Sequence, residues 1–141
     1  MQQNMLQWLH LDNVIHKFED QLLKYDIILK YRFDYYVDDF LTKLTKLTVI
    51  PNILYNESDR VFYSDSLTFI NIFKTYYDNL KNYTYQHRDI TDDSFSTSWK
   101  SEPALQMHLK NINILSEPSI ICGIIIRGSY DKVTADGNKK L

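Results

Sequence analysis

From Asp12 to Leu47 the chain contains neither glycine nor proline, and its first glycine is Gly123. A backbone without its two usual punctuators is committed to long regular elements. Asp12 is placed to cap a helix, and Val14, Phe18, Leu22, Tyr25 and Leu29 follow at spacings of three and four, which predicts an amphipathic helix. A second stripe runs through Phe33, Tyr36, Val37, Phe40, Leu41, Leu44 and Leu47. Asp34, Asp38 and Asp39 precede Lys43 and Lys46 along it, the order that a helix dipole favours. One unbroken helix over this span would measure about 54 Å, long for a small domain. A break between Tyr25 and Arg32 is therefore expected, leaving an N-terminal helix and a core helix.

Pro51 ends the second helix, "NILY" is a short apolar segment, and "NESD" is a turn signal. "RVFY" predicts a short strand, and "DSLTFINIFKTYYDNL" a third helix capped by Asp65 or Ser66. Beyond Leu80 the period changes to two. In "NYTYQHRDI" the alternation places Tyr83, Tyr85, His87 and Asp89 on one face of a strand. In "ALQMHLKNINIL" Leu105, Met107 and Leu109 alternate with Gln106, His108 and Lys110, then the pattern slips by one to Ile112 and Ile114. A slip flips side chains to the other face, so a β-bulge is expected near Lys110 or Asn111. "SEPS" is expected as a hairpin loop and "IICGIIIRGSY" as a long central strand, with Gly123 and Gly128 marking a bend or a close backbone approach. The fold class is α+β: N-terminal helices packed on a curved antiparallel sheet.

The order of elements resembles the nuclear-transport-factor-two-like family, in which a bent sheet wraps helices into a cone. The likeness runs from about Phe33 to the end. Its carriers are "FDYYVDDFLTKL", "SDRVFYSDSLTFINIFKTYYDNL", "YTYQHRDITDDSF" and "SIICGIIIRGSYDKVTADGNKK". The last, a strand leading into a polar hairpin, is similar to the fungal mRNA-export branch of that family. The resemblance implies an N-terminal helical extension over residues 1–32 and a cone-like domain over 33–141. It also implies a heterodimeric adaptor in nuclear transport or RNA export. The family has a further strand after the hairpin, which this sequence lacks.

Composition narrows the chemistry. With 141 residues the chain suits one domain. Its formal net charge of −2 argues against a nucleic-acid binder. No signal peptide is recognisable and no apolar run reaches the roughly 20 residues of a membrane helix, so a cytoplasmic or nuclear location is expected. The single cysteine, Cys122, excludes an internal disulfide and lies in an apolar run, where a buried inert thiol is expected. No metal or cofactor motif occurs, and neither a metal nor a cofactor is expected. Asp34 and Asp38 share a helical face, but a solvated face is the simpler reading, since hard cations need more oxygen ligands. His108 is expected in solvent.

Two functional readings remain. In the first the chain is a non-catalytic interaction domain that pairs with another protein chain, as a homo- or heterodimer, through its sheet. Leu105, Met107, Leu109, Ile112, Ile114, Ile124, Ile126 and Tyr130 would form the interface. A sheet covered by helices on one face leaves the other open, and three consecutive isoleucines cannot all face the helices. A structural subunit of a larger assembly is a variant of this reading. In the second reading, an isomerase or dehydratase of the cone type, His87 and Asp89 act as the base pair and Tyr85 as hydrogen-bond donor. A polar strand face turned to water is simpler. Finally, the sequence ends where a strand returning along "IICGIIIRG" would begin. Either a truncated chain or an edge completed by another molecule is expected.

Overall fold

The computed structural model describes residues 3–88 and 101–126. In chain order its elements are α1 (Gln3–Leu22), β1 (Ile27–Tyr31), β2 (Tyr35–Tyr36), α2 (Phe40–Thr45), β3 (Ile53–Glu57), β4 (Val61–Asp65), α3 (Ser66–Arg88), α4 (Ser101–Asn111), β5 (Leu115–Pro118) and β6 (Ile124–Ile125). The fold is α+β, with helices packed on a sheet. β1, β4, β3 and β5 form a four-stranded sheet in that order, and β2 pairs with β6 in a separate ribbon. Within the larger sheet β1–β4 and β3–β4 are antiparallel while β5 runs parallel to β3, so the sheet is mixed and is built from other segments than the antiparallel strands expected over 82–130.

α1 buries a stripe one phase away from the expected one. Trp8 and Ile15 are buried and Leu11 and Leu22 pack beside them, while Val14, Phe18 and Tyr25 are exposed. The helix starts nine residues before Asp12, so the face is set by Trp8 rather than by Val14. It ends at Leu22, earlier than expected, and Ile27–Tyr31 becomes an edge strand.

The expected core helix over 33–47 divides instead. Tyr35 and Val37 are buried and alternate with exposed Tyr36 and Asp38, a period of two that makes an extended segment. Only Phe40–Thr45 is helical.

The turn before β4, β4 itself and the start of α3 follow the sequence closely, and "NILY", expected only as an apolar segment, leads into strand β3. Arg60 N–H donates to the Glu57 carbonyl across the turn at 3.1 Å. Asp65 caps α3, accepting the Thr68 N–H at 3.1 Å. The helix then continues through Tyr83–Arg88, where a strand was expected.

Residues 101–111 are helix α4 rather than a strand. Ala104, Leu105, His108 and Leu109 are buried and Ile112 packs on the same core; this i, i+1, i+4, i+5, i+8 spacing is helical. The slip after Leu109 is not a bulge. It is a helix end in which Asn113 turns left-handed (φ 58°), Asn113 N–H reaches the Lys110 carbonyl at 3.3 Å, and Ile114 N–H reaches the Leu109 carbonyl at 2.9 Å. That is a Schellman cap with asparagine at its left-handed position. "LSEP" is then strand β5, not a hairpin loop.

The sheet is covered on both sides. On one face α1, α3 and α4 enclose Trp8, Ile15, Leu54, Phe62, Phe73, Tyr76 and Leu80. Trp8 lies 5.0 Å from Tyr76, 5.7 Å from Phe62 and 6.1 Å from Phe73, centroid to centroid. On the other face Val61 and Leu29 meet Tyr35, Val37, Ile121, Ile125, Phe40 and Leu44 in a smaller core. Strand alternation explains the division, since Phe62 points to the helices and its neighbour Val61 away from them. The second sheet face, expected to be open for a partner, is thus occupied by α2 and the β2–β6 ribbon.

Candidate functional site

The interface expected from sequence separates into three groups. Leu105, Leu109 and Ile114 are buried, and Met107 and Ile112 are partly buried against the same core. Leu105, Leu109 and Ile114 are turned into the core that α4 shares with α3, and Met107 and Ile112 pack at its margin. Ile124 and Ile126 are exposed, at 65% and 57%. Tyr130 lies outside the described residues.

The expected catalytic face does not form as a strand. Tyr85 and His87 are on the last turns of α3, and positions two apart on a helix are about 200° apart around its axis. Asp89 lies outside the described residues.

The exposed isoleucines belong to a built surface. β2 and β6 pair with Tyr35 opposite Ile125 and Tyr36 opposite Ile124. Tyr35 and Ile125 turn inward to the smaller core, so Tyr36 and Ile124 share the outer face. The Ile126 N–H donates to the Asp34 carbonyl at 2.8 Å and extends the ribbon by one step. Gly123 lets the strands approach. A Cβ there would lie 1.9 Å from the Tyr36 carbonyl oxygen and 2.9 Å from Val37 Cγ2. This is the close approach expected at that glycine; Gly128 is outside the described residues. The Gly123 N–H donates to the Tyr35 hydroxyl, tying the ribbon's main chain to its buried ring.

Beside the ribbon the chain turns tightly between β1 and β2. Tyr35 N–H donates to the Arg32 carbonyl at 3.1 Å. The Arg32 guanidinium clamps the Asp34 carboxylate with Nε–Oδ1 at 2.9 Å and Nη2–Oδ2 at 2.7 Å. This two-point bond is the main reason the guanidinium pKa is raised. Phe33, held between the two clamped residues, is 100% exposed, and Tyr36 is 52% exposed. Tyr36, Ile124 and Ile126 are therefore exposed on the ribbon, and Phe33 is exposed on the stapled turn that precedes it. Asp34 was expected on a solvated helix face; it is instead the partner that shapes this turn. Cys122, expected to be buried, is exposed just before the ribbon.

Other polar groups are engaged in holding the fold. His108, expected in solvent, is fully buried, stacked on Tyr76 at 5.0 Å. Its Nε2 lies 2.8 Å from the Ile72 carbonyl, which can only accept, so Nε2 carries the proton. Burial pushes its pKa down. Lys30 lies on the helix side of β1 with Nζ 4.9 Å from the Phe62 ring and 5.6 Å from the Trp8 ring. It donates to Gln7 Oε1 at 3.4 Å. Burial pushes its pKa down to about 8, against the pull of Asp59.

A groove of about 490 Å³ opens at the start of α3, lined in part by Glu19, Asp65, Thr68, Asn71 and Lys74. Its charges are largely engaged: Lys74 Nζ binds both Glu19 oxygens at 3.0 and 2.8 Å, and Asp65 Oδ2 caps the helix while its Oδ1 is buried without a hydrogen-bond partner. Among the described residues no group of three or more histidine, cysteine or carboxylate side chains could hold a metal, and no helix is long and apolar enough to cross a membrane. No protein-family model, no curated protein and no solved structure matches this chain.

Proposed function

We propose that this chain is a non-catalytic protein–protein interaction module whose contact surface is the outer face of the β2–β6 ribbon and its adjoining turn. The supporting observation is the fully exposed Phe33, between the clamped residues Arg32 and Asp34 on the turn that leads into the ribbon bearing exposed Tyr36, Ile124 and Ile126. An exposed aromatic on a short, hydrogen-bonded turn can bury a large apolar area on binding, which is what an interface anchor requires. A setting in nuclear transport or RNA export follows from the sequence resemblance alone and is part of the proposal.

The test is site-specific photocross-linking in cells with a photoreactive phenylalanine analogue at position 33. Leu67, 67% exposed at the start of α3, serves as the control position. The expected result is a discrete adduct from position 33 that disappears when Ile124→Glu and Ile126→Glu are combined with it. Both isoleucines are exposed, so the pair of substitutions should change stability by only about 0.5 kcal/mol each. Equal, diffuse labelling from positions 33 and 67 would refute the proposal.

A further inference from the structure

Lys30 carries its amine into the helix-covered side of the sheet. Its Nζ lies 4.9 Å from the ring of Phe62 and 5.6 Å from that of Trp8, both of them buried. An ammonium has three N–H donors. Among the described residues they find one acceptor, Gln7 Oε1 at 3.4 Å. No described carboxylate lies within ion-pair distance of Nζ. The ring faces attract the cation but accept no strong hydrogen bond. The side chain is half-buried rather than sealed, and β1 is an outer strand of the sheet.

Three charged groups act on this amine. Asp59, in the β3–β4 turn, favours the ammonium, Arg32 opposes it, and Asp34, clamped to Arg32, favours it more weakly. Burial outweighs them and holds the pKa at about 8. At pH 7.5 about a quarter of such an amine is free base, against about a thousandth of an ordinary lysine. The same cluster holds a second unmet group. Trp8 is 2% exposed, and its indole Nε1–H is buried with no hydrogen-bond partner. The cluster is rich in donors and short of a carbonyl-type acceptor.

We infer that Lys30 is a site of N-acylation, taking a small acyl group, of acetyl size, from an acyl thioester. The free amine attacks the thioester carbonyl carbon. The N–C bond forms, the C–S bond breaks, and the departing sulfur takes the proton that the nitrogen sheds; nothing is oxidised or reduced. The product amide is neutral, so it removes a poorly solvated charge from a partly buried site. Its carbonyl oxygen brings an acceptor into the cluster that holds the Trp8 Nε1–H. Two rings against Nζ limit the group to a small one. The site faces the helix-side core and does not depend on the ribbon reading.

The experiment treats the full chain with the acetyl thioester of N-acetylcysteamine and follows each lysine by peptide mass spectrometry across a pH series. At pH 7.5 Lys30 should acylate about tenfold faster than exposed Lys24, its larger free-base fraction being offset in part by lower nucleophilicity. Its rate should level off by about pH 9. Gln7→Glu places a carboxylate beside Nζ with little change in shape; it should keep the far-ultraviolet dichroism and erase the rate advantage. After acylation the Trp8 indole N–H resonance should move downfield. The inference is overturned if Lys30 reacts no faster than Lys24, if its rate still climbs steeply above pH 9, if Gln7→Glu leaves that rate unchanged, or if the indole resonance stays in place.

Discussion

The two faces of the sheet are covered by different means. On the helix side, three helices bring aromatic rings into one continuous core around Trp8, Phe62 and Phe73. On the other side a six-residue helix with no buried residue and a ribbon of two-residue strands cover a core with four buried members. The first cover is stabilised by apolar area, at roughly 1.5–3 kcal/mol for each large side chain buried. Two-residue strands have too few ladder bonds to persist alone. The second cover therefore depends on specific contacts, chiefly Gly123 against Tyr36 and the Tyr35 hydroxyl. The same ribbon turns an apolar surface outward, so the less robust cover is the one that presents the candidate interface.

The sharpest way to break this contrast is to delete one anchor on each face. Trp8→Ala should lose about 3–5 kcal/mol in urea unfolding, because its ring touches three other aromatics. Val61→Ala, in the smaller core, should lose only about 1–3 kcal/mol. Equal losses would show that the two covers are energetically alike. Gly123→Ala should cost about 1–3 kcal/mol and act locally. Amide signals of Tyr36 and Ile125 should move while the near-ultraviolet dichroism of the helix-side aromatics is kept.

The smallest effect concerns pH. The folded-state pKa of His108 lies below its ordinary 6.5. As pH falls through that value the unfolded chain takes the proton first. Stability is therefore fully present above about pH 6.5 and declines below it, by at most about 1.4 kcal/mol per pH unit, until the folded-state pKa is reached. His108→Gln keeps a donor for the Ile72 carbonyl and should flatten this slope between pH 7 and 5. An unchanged slope would assign the pH dependence to other groups.

Much of the central fold was legible without coordinates. "NESD" between two apolar segments, Asp65 ahead of Ile70, Phe73 and Leu80, and Gly123 within an apolar run specify their structures locally, whereas Leu67, at helical spacing with them, is exposed. A turn, a capped helix and a close approach each depend on residues within a few positions of one another. The stretches that were misread carried two periods at once. In 104–112, Leu105, Met107 and Leu109 satisfy a strand, but Ala104, Leu105, His108, Leu109 and Ile112 satisfy a helix better once alanine and histidine are counted as core residues. In 33–37 an apparent helical stripe concealed a buried–exposed alternation, and in 83–88 a polar alternation continued a helix already started at Ser66.

The sequence by itself determined the α+β class, the turn and strand at 57–65, the cap of α3 and the close approach at Gly123, because short-range sterics and hydrogen bonding set them. Only the tertiary structure decided which isoleucines face solvent, which face of α1 is buried and that the sheet is covered on both sides. Those outcomes depend on which distant segment packs on each apolar surface: Trp8 joins the helix-side core and Tyr35 the other. Such a choice is made by long-range burial, which no local pattern records.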